Sequence, residues 1–196
     1  MSQKIYIKAY ISIIFISSLI GCSGGGGGES KSSPTGAFEL TSSLGIALTT
    51  PFTCDGTGSS PDLTWSNLPS NTSELALLMS TEAPGQTKYN WVLYNIPAGI
   101  SQLKRDSFGV GVSGLGDDGA YIGYQTPCSS GAGLKSYTFT LYALSSPPVI
   151  TSSPVTGASL KAALASVTIG TASLTMTYDA PGANGNGHSV TCGYIQ

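Results

Sequence analysis

Histidine is almost missing from this sequence: of 196 residues only His188 is one, and it lies in a stretch rich in Gly and Asn. An imidazole-rich metal centre is thereby excluded, and a Ser-His-Asp site would need the C-terminal stretch to fold back over a serine. No G-x-S-x-G elbow is present, since Gly111-Val112-Ser113-Gly114 and its neighbours break that spacing. Charge is scarce, with eight Lys and Arg against ten Asp and Glu, and no basic cluster is available to follow a nucleic-acid backbone. The four cysteines form neither a C-x-x-C pair nor a Cys/His pattern, so no zinc site is expected. Asp117-Asp118 is the one adjacent pair of carboxylates. Between Gly116 and Gly119 it reads as a solvated turn, not as two acids facing each other across a cleft. These absences point to a non-catalytic protein without metal, cofactor or nucleic-acid partner.

What is present begins at the N-terminus. Lys4 and Lys8 precede an apolar run, Ala9 to Ile20, that ends in Leu19-Ile20-Gly21-Cys22. The run is shorter than the ~20 apolar residues of a spanning helix and has the layout of a secretory signal. Leu-Ile-Gly-Cys resembles the bacterial lipobox, in which the cysteine sulfur receives a diacylglyceryl group and the freed amine is acylated. Residues 1–21 are thus read as a lipoprotein signal peptide. Cys22 is read as the lipidation site, holding the chain on the bacterial membrane, because several acyl chains anchor far more firmly than one. Ser23 after that cysteine favours the outer membrane, with the protein facing the periplasm or the cell surface. Residues 22–36, with Gly24 to Gly28 followed by Ser, Lys and Pro, read as a tether. Once the signal is removed, six basic residues face ten acidic ones, a net charge of about −4. Export suits the remaining cysteines: Cys54, Cys128 and Cys192 allow one disulfide and leave one thiol.

Short runs rich in β-branched and aromatic residues, bounded by Pro, Gly, Asn and Ser, predict strands at Phe38–Ser42, Leu63–Leu68, Leu75–Ser80, Asn90–Ile96, Tyr137–Leu144 and Ala172–Tyr178. The nearly continuous apolar stretches Leu75-Ala76-Leu77-Leu78-Met79 and Leu141-Tyr142-Ala143-Leu144 are expected to be central. Helical spacing is confined to Leu160–Val167, with Ser159 as N-cap and Gly170 just past the end. Many strands and one helix make a mainly-β sandwich.

The order of Thr53-Cys54-Asp55-Gly56, Ser60-Pro61-Asp62-Leu63-Thr64-Trp65, Glu82-Ala83-Pro84 and Asn90-Trp91-Val92-Leu93-Tyr94-Asn95-Ile96-Pro97 resembles the phosphatidylethanolamine-binding protein family, most of all its bacterial Raf-kinase-inhibitor-like (YbhB/YbcL) branch. The resemblance spans Phe38 to Tyr178. It implies a folded domain over residues 37–179, in which a large central antiparallel sheet packs on a smaller one with a short helix near the C-terminus. Residues 180–196 are left as an extension. It also implies a small anion pocket at a sheet edge, walled by D-P-D-A-P, the histidine before Trp, G-P-C-P-P and H-R-Y. By register, Ser80-Thr81-Glu82-Ala83-Pro84 replaces the first segment, Asn90 the histidine, Thr126-Pro127-Cys128-Ser129-Ser130 the third and Lys135-Ser136-Tyr137 the last.

The ligand-binding residues this implies are Ser80, Glu82, Asn90, Tyr124, Cys128, Lys135 and Tyr137. Both histidines of the pattern are gone, so pH-responsive imidazoles are replaced by a neutral amide and a lysine. Lys135 pointing inward would keep the site selective for an anion; pointing outward it would be a solvated surface lysine. Asp55 either fixes a turn or meets ligand, Pro84 is a candidate cis-proline, and Trp65 and Trp91 read as core. Cysteines at positions 54 and 128 are common in the branch, which implies a Cys54–Cys128 disulfide, with Cys192 the rival partner. The partner implied is a small anionic ligand or a phospholipid head group. Because relatives inhibit kinases and proteases, the second reading is a protein–protein interaction module or protease inhibitor acting on an envelope protein.

Overall fold

The computed structural model describes residues 36–119, 122–128 and 133–180. Eight strands and one helix follow in order: β1 (Glu39–Thr41), β2 (Leu63–Ser66), β3 (Glu74–Ala83), β4 (Gln86–Pro97), β5 (Gln102–Leu103), β6 (Val112–Ser113), β7 (Gly133–Leu144), α1 (Gly157–Leu164) and β8 (Thr168–Ala180). The strands form a three-stranded sheet, β1-β2-β5, and a five-stranded sheet, β6-β4-β3-β7-β8. All neighbouring strands are antiparallel. This is the mainly-β two-sheet architecture with one short helix that the sequence implies.

Period-two alternation gives the larger sheet two working faces. Leu75, Leu77 and Met79 of β3, with Tyr137, Phe139 and Leu141 of β7, turn toward the small sheet and join Leu40, Leu63, Trp65 and Trp91 in the main core. Ala76, Leu78, Tyr142 and Leu144 turn the other way and are covered by Leu160 and Leu164 of α1. Each fully buried Leu or Phe here contributes about 1.5–3 kcal/mol. The apolar stretches at Leu75–Met79 and Leu141–Leu144 are unbroken because both of their faces are covered.

The helix begins three residues earlier than its spacing indicates and stops at Leu164. Thr156, not Ser159, is the N-cap: its side chain accepts from the Ser159 amide at 3.2 Å, while Ser159 Oγ accepts from the Thr156 amide at 2.9 Å. This reciprocal pair satisfies two amides that the first turn would otherwise leave open. Gly170 lies inside β8, where a Cβ would come within 2.6 Å of Pro69. The central strands outrun their apolar stretches, so β3 and β4 continue through polar residues to a tight turn at Pro84-Gly85, with Gly85 at φ +79°. Pro84 is trans in that turn, since the cis peptide among the described residues is Ser153–Pro154. The pairs β5 and β6 are too short to show a period. No described helix is long and apolar enough to cross a membrane.

Glu74, at the start of β3, has a buried Oε1 without a hydrogen-bond partner, and burial raises its carboxyl above the ordinary value. The folded chain therefore holds this proton more tightly than the unfolded chain. Its contribution to stability is fully present below the ordinary carboxylate range and is lost as pH rises through the raised folded value. Glu74→Gln should melt higher than wild type at pH 7 and converge with it near pH 4, as thermal unfolding across that range would show.

Candidate functional site

The residues named from the sequence fall into two places, an open depression and the core beside it. Ser80 pairs in register with Thr138 and alternates with Met79, so it belongs to the face opposite the main core. With Thr81, Glu82, Leu134, Lys135, Ser136 and Thr138 it lines an open depression of about 220 Å³ at the end of the five-stranded sheet. Lys135 is exposed, and it forms no ion pair with any described residue. Glu82 accepts two contacts from Thr87 Oγ1 across the hairpin, at 3.0 and 3.1 Å. Thr81 Oγ1 donates to the Ser136 carbonyl at 2.9 Å, and Thr138 and Thr175 share a hydroxyl contact of 3.0 Å. The lining thus combines Ser80, Thr81, Ser136 and Thr138 with one lysine and one glutamate; by alternation along β7, Lys135 has the parity of Tyr137, and Leu134, Ser136 and Thr138 have the opposite one. Among the described residues no cluster of His, Cys, Asp or Glu is arranged to hold a metal ion.

Asn90, Tyr124, Cys128 and Tyr137 do not line that depression. Asn90 is the extra residue of a bulge: Met79 pairs with Trp91 and Ser80 with Tyr89, leaving Asn90 unmatched. Its side chain is buried at 7% exposure, its Oδ1 has no hydrogen-bond partner, and its carbonyl accepts from the Gln125 amide at 2.8 Å. Tyr124 packs edge-on to Trp91 at 5.3 Å and donates to the Phe52 carbonyl at 2.8 Å. Burial pushes its phenol far up, and Tyr137, buried beside Tyr178, is raised for the same reason. Both tyrosines are walls of the core.

Cys54 and Cys128 are joined by a disulfide, with S–S 2.13 Å and Cα atoms 5.3 Å apart. The Cys54 amide donates to the Pro127 carbonyl at 3.1 Å. Asp55 accepts a hydrogen bond from Tyr178 Oη, tying the Thr53–Gly56 turn to the end of β8. Lys135 stands opposite Tyr178 in register, on the exposed end of the sheet. Asp117 and Asp118 are engaged at the start of β4: Asp117 Oδ2 accepts from the Tyr89 amide at 2.9 Å, and Asp118 meets Lys88 at 3.3 Å. Cys22, His188 and Cys192 lie outside the described residues.

Sequence reasoning therefore brought Ser80, Glu82 and Lys135 to one place and missed Thr81, Leu134, Ser136 and Thr138 beside them. The alternation Ser136-x-Thr138-x-Thr140 was the available signal, because a strand with Tyr137 and Phe139 inward must turn these hydroxyls outward. Tyr178 was also missed as the partner of Asp55.

Fold and site define a two-layer β-sandwich, one covering helix on its larger sheet, and a shallow polar depression at that sheet's end. Residues 37–179 match the family model described as phosphatidylethanolamine-binding protein, and the chain belongs to that family. It is similar to UPF0098 protein YbcL of Escherichia coli, 32% identical over 167 residues that cover 76% of this chain and 91% of YbcL. The YbcL crystal structure aligns with a TM-score of 0.66 at 30% identity, covering 74% of this chain and 99% of that one. A candidate lipoprotein, LppC of Mycobacterium tuberculosis, is 29% identical over 87% of this chain and 94% of its own length. A UPF0098 protein of Methanothermobacter thermautotrophicus is 36% identical over 100 residues, 47% of this chain and 65% of that relative.

Tyr178→Phe removes the donor that holds the Asp55 turn. Such a bond contributes about 1 kcal/mol net, or somewhat more with a charged acceptor. Urea unfolding should show a loss of that size with an unchanged m-value, and an unchanged midpoint would mean that the link contributes nothing.

Proposed function

We propose that this chain is a non-catalytic binding protein of the bacterial envelope, anchored through Cys22, which holds a small anion or the phosphate of a phospholipid head group at the Lys135 depression. The observation that carries the reading is Lys135, exposed and without a carboxylate partner among the described residues, lining the same depression as Ser80, Ser136 and Thr138. A lysine ammonium and hydroxyl donors suit tetrahedral oxyanions, which accept from several directions at once. The anchor is supported by the Leu19-Ile20-Gly21-Cys22 sequence and by the similarity to the candidate lipoprotein LppC.

Calorimetric titration with inorganic phosphate and with phosphoethanolamine tests the site. Losing one charge-assisted contact costs about 1.5–3 kcal/mol, so Lys135→Ala should weaken binding roughly ten- to hundredfold without changing the melting temperature. Removing the rim carboxylate with Glu82→Gln should strengthen it. Equal binding by wild type and Lys135→Ala, or none by either, would sink the reading.

The anchor has its own check. In a Gram-negative host, full-length protein should partition with membranes and carry acyl groups on the Cys22 peptide by mass spectrometry. Cys22→Ala should leave the chain unprocessed and unacylated.

A further inference from the structure

We infer that β8 is the seam of a homodimer, in which the strand pairs antiparallel with β8 of a second copy across a two-fold axis at Ser173. β8 runs for 13 residues at one rim of the five-stranded sheet, whereas β6 at the other rim has 2. Its free side bonds to described backbone near one end, where the Thr177 amide donates to the Ile46 carbonyl and the Thr177 carbonyl accepts from the Leu48 amide, both at 2.9 Å. Thr177 therefore turns its backbone groups away from β7, and by the alternation of an antiparallel ladder so do Thr175, Ser173 and Thr171. The side chains agree: Thr175 meets Thr138 at 3.0 Å and Ser173 meets Thr140 at 3.2 Å, close approaches that belong to facing residues without mutual backbone bonds. Among the described residues nothing pairs with the outward N–H and C=O groups of Thr171, Ser173 and Thr175. Such an edge is a template for another strand, and the usual protections are absent, since Thr168 to Tyr178 contains no proline and no charged residue.

What selects a second copy is the sequence of the edge itself. The contact of Thr177 with the Ile46–Leu48 segment closes the open stretch at one end, and the register irregularity between Gly170 and Thr168 closes it at the other. Ser173 is the centre of what remains. Pairing about that centre sets Ser173 opposite Ser173, Thr171 opposite Thr175 and Ala172 opposite Leu174, so residues with outward backbone groups meet one another and form about six hydrogen bonds. A slip of one residue would lose that ladder, because outward groups would then face residues whose own groups point to β7. Side chains match as well. Hydroxyl meets hydroxyl on the outer face, and on the inner face the half-buried Leu174, at the margin of the main core, meets the small Ala172 in both directions. No like charges are brought together, and a two-fold contact uses the same patch twice, so the assembly closes at two copies. The axis stands perpendicular to the sheet, which places Ser80, Ser136 and Thr138 of both copies on one side. A seam this narrow lies at the small end of specific interfaces, so the dimer is weak and concentration-dependent. It does not depend on what the depression binds.

The test is disulfide trapping of the full-length chain in membranes of a Gram-negative host, in a Cys192→Ser background that by itself should run as monomer on a non-reducing gel. Thr171, Ser173 and Thr175 are all exposed, so differences among cysteines placed there report geometry and not access. Ser173→Cys should cross-link to its own counterpart under mild oxidation, because facing residues have Cα atoms about 5.5 Å apart, within disulfide reach. Thr171→Cys and Thr175→Cys should each stay monomeric when expressed alone, since each lies roughly 13 Å along the strand from its counterpart. Expressed together, they should join. Ser173→Pro gives an independent reading, because the Ser173 amide faces away from β7 and proline is tolerated at such an edge position. It should leave the melting temperature unchanged and, by sedimentation in density-matched detergent, raise the dimer dissociation constant about 30-fold, for one hydrogen bond lost from each copy. Ser173→Cys that stays monomeric or joins a different protein would overturn the inference. So would equal self-linking at all three positions, or a dissociation constant that Ser173→Pro does not change.

Discussion

The pairing of β7 between β3 and β8 is the constraint on which the rest of this structure depends. Because side chains alternate strictly, Tyr137, Phe139 and Leu141 can enter the main core only if Ser136, Thr138 and Thr140 face the other way. A slip of one residue would exchange the two sets and put hydroxyls against Leu77 and Met79. The outer face of β7 also changes character along its length. At Tyr142 and Leu144 it is apolar and lies under α1, while at Ser136 and Thr138 it is polar and uncovered. The depression therefore forms where the helix cover ends.

A second set of links fastens the loops to that sheet end. The Cys54–Cys128 disulfide closes a sequence separation of 74 residues, for which chain-entropy arguments give a stabilisation of roughly 4 kcal/mol. Tyr124 Oη on the Phe52 carbonyl adds a hydrogen bond between the same two segments, and Tyr178 Oη on Asp55 ties the turn to β8. None of these groups lines the depression, but together they fix the turn after Thr53 and the segment before β7 against β8. The sheet sets which way side chains point, and these links set where the connecting chain lies.

Much of the fold was legible because the central strands carry unbroken apolar stretches, and a strand covered on both faces must read that way. Strand ends were legible only where composition changed. Glu82 and Thr87 belong to β3 and β4 by virtue of their cross-strand hydrogen bonds, which leave no apolar signal. The early helix start was hidden because the capping box uses Thr156 and Ser159 in a stretch crowded with other hydroxyl residues. For the site, motif order located every position along the chain but not the face on which each stands. Ser80 and Tyr137 occupy matched motif positions, yet they fall on opposite sides of one sheet. Cross-strand register decides that, and no single strand contains it. The bulge that buries Asn90 is equally a property of two strands together.

The loss of both histidine positions bears on how strongly such a site can act. A pair of imidazoles could bring two charged donors, whereas here a single exposed lysine lines an open depression, where solvent screens each contact and the return is modest. On the proposed reading, affinity for free phosphate should then be weak, and useful occupancy would come from keeping the ligand near. An acyl anchor does that for head groups, because it converts encounter with the bilayer into a local event and raises the effective concentration without any added contact. An anchored chain can therefore work with a site too shallow to retain a diffusing anion. On that reading, a ligand presented by the membrane is favoured over one drawn from solution.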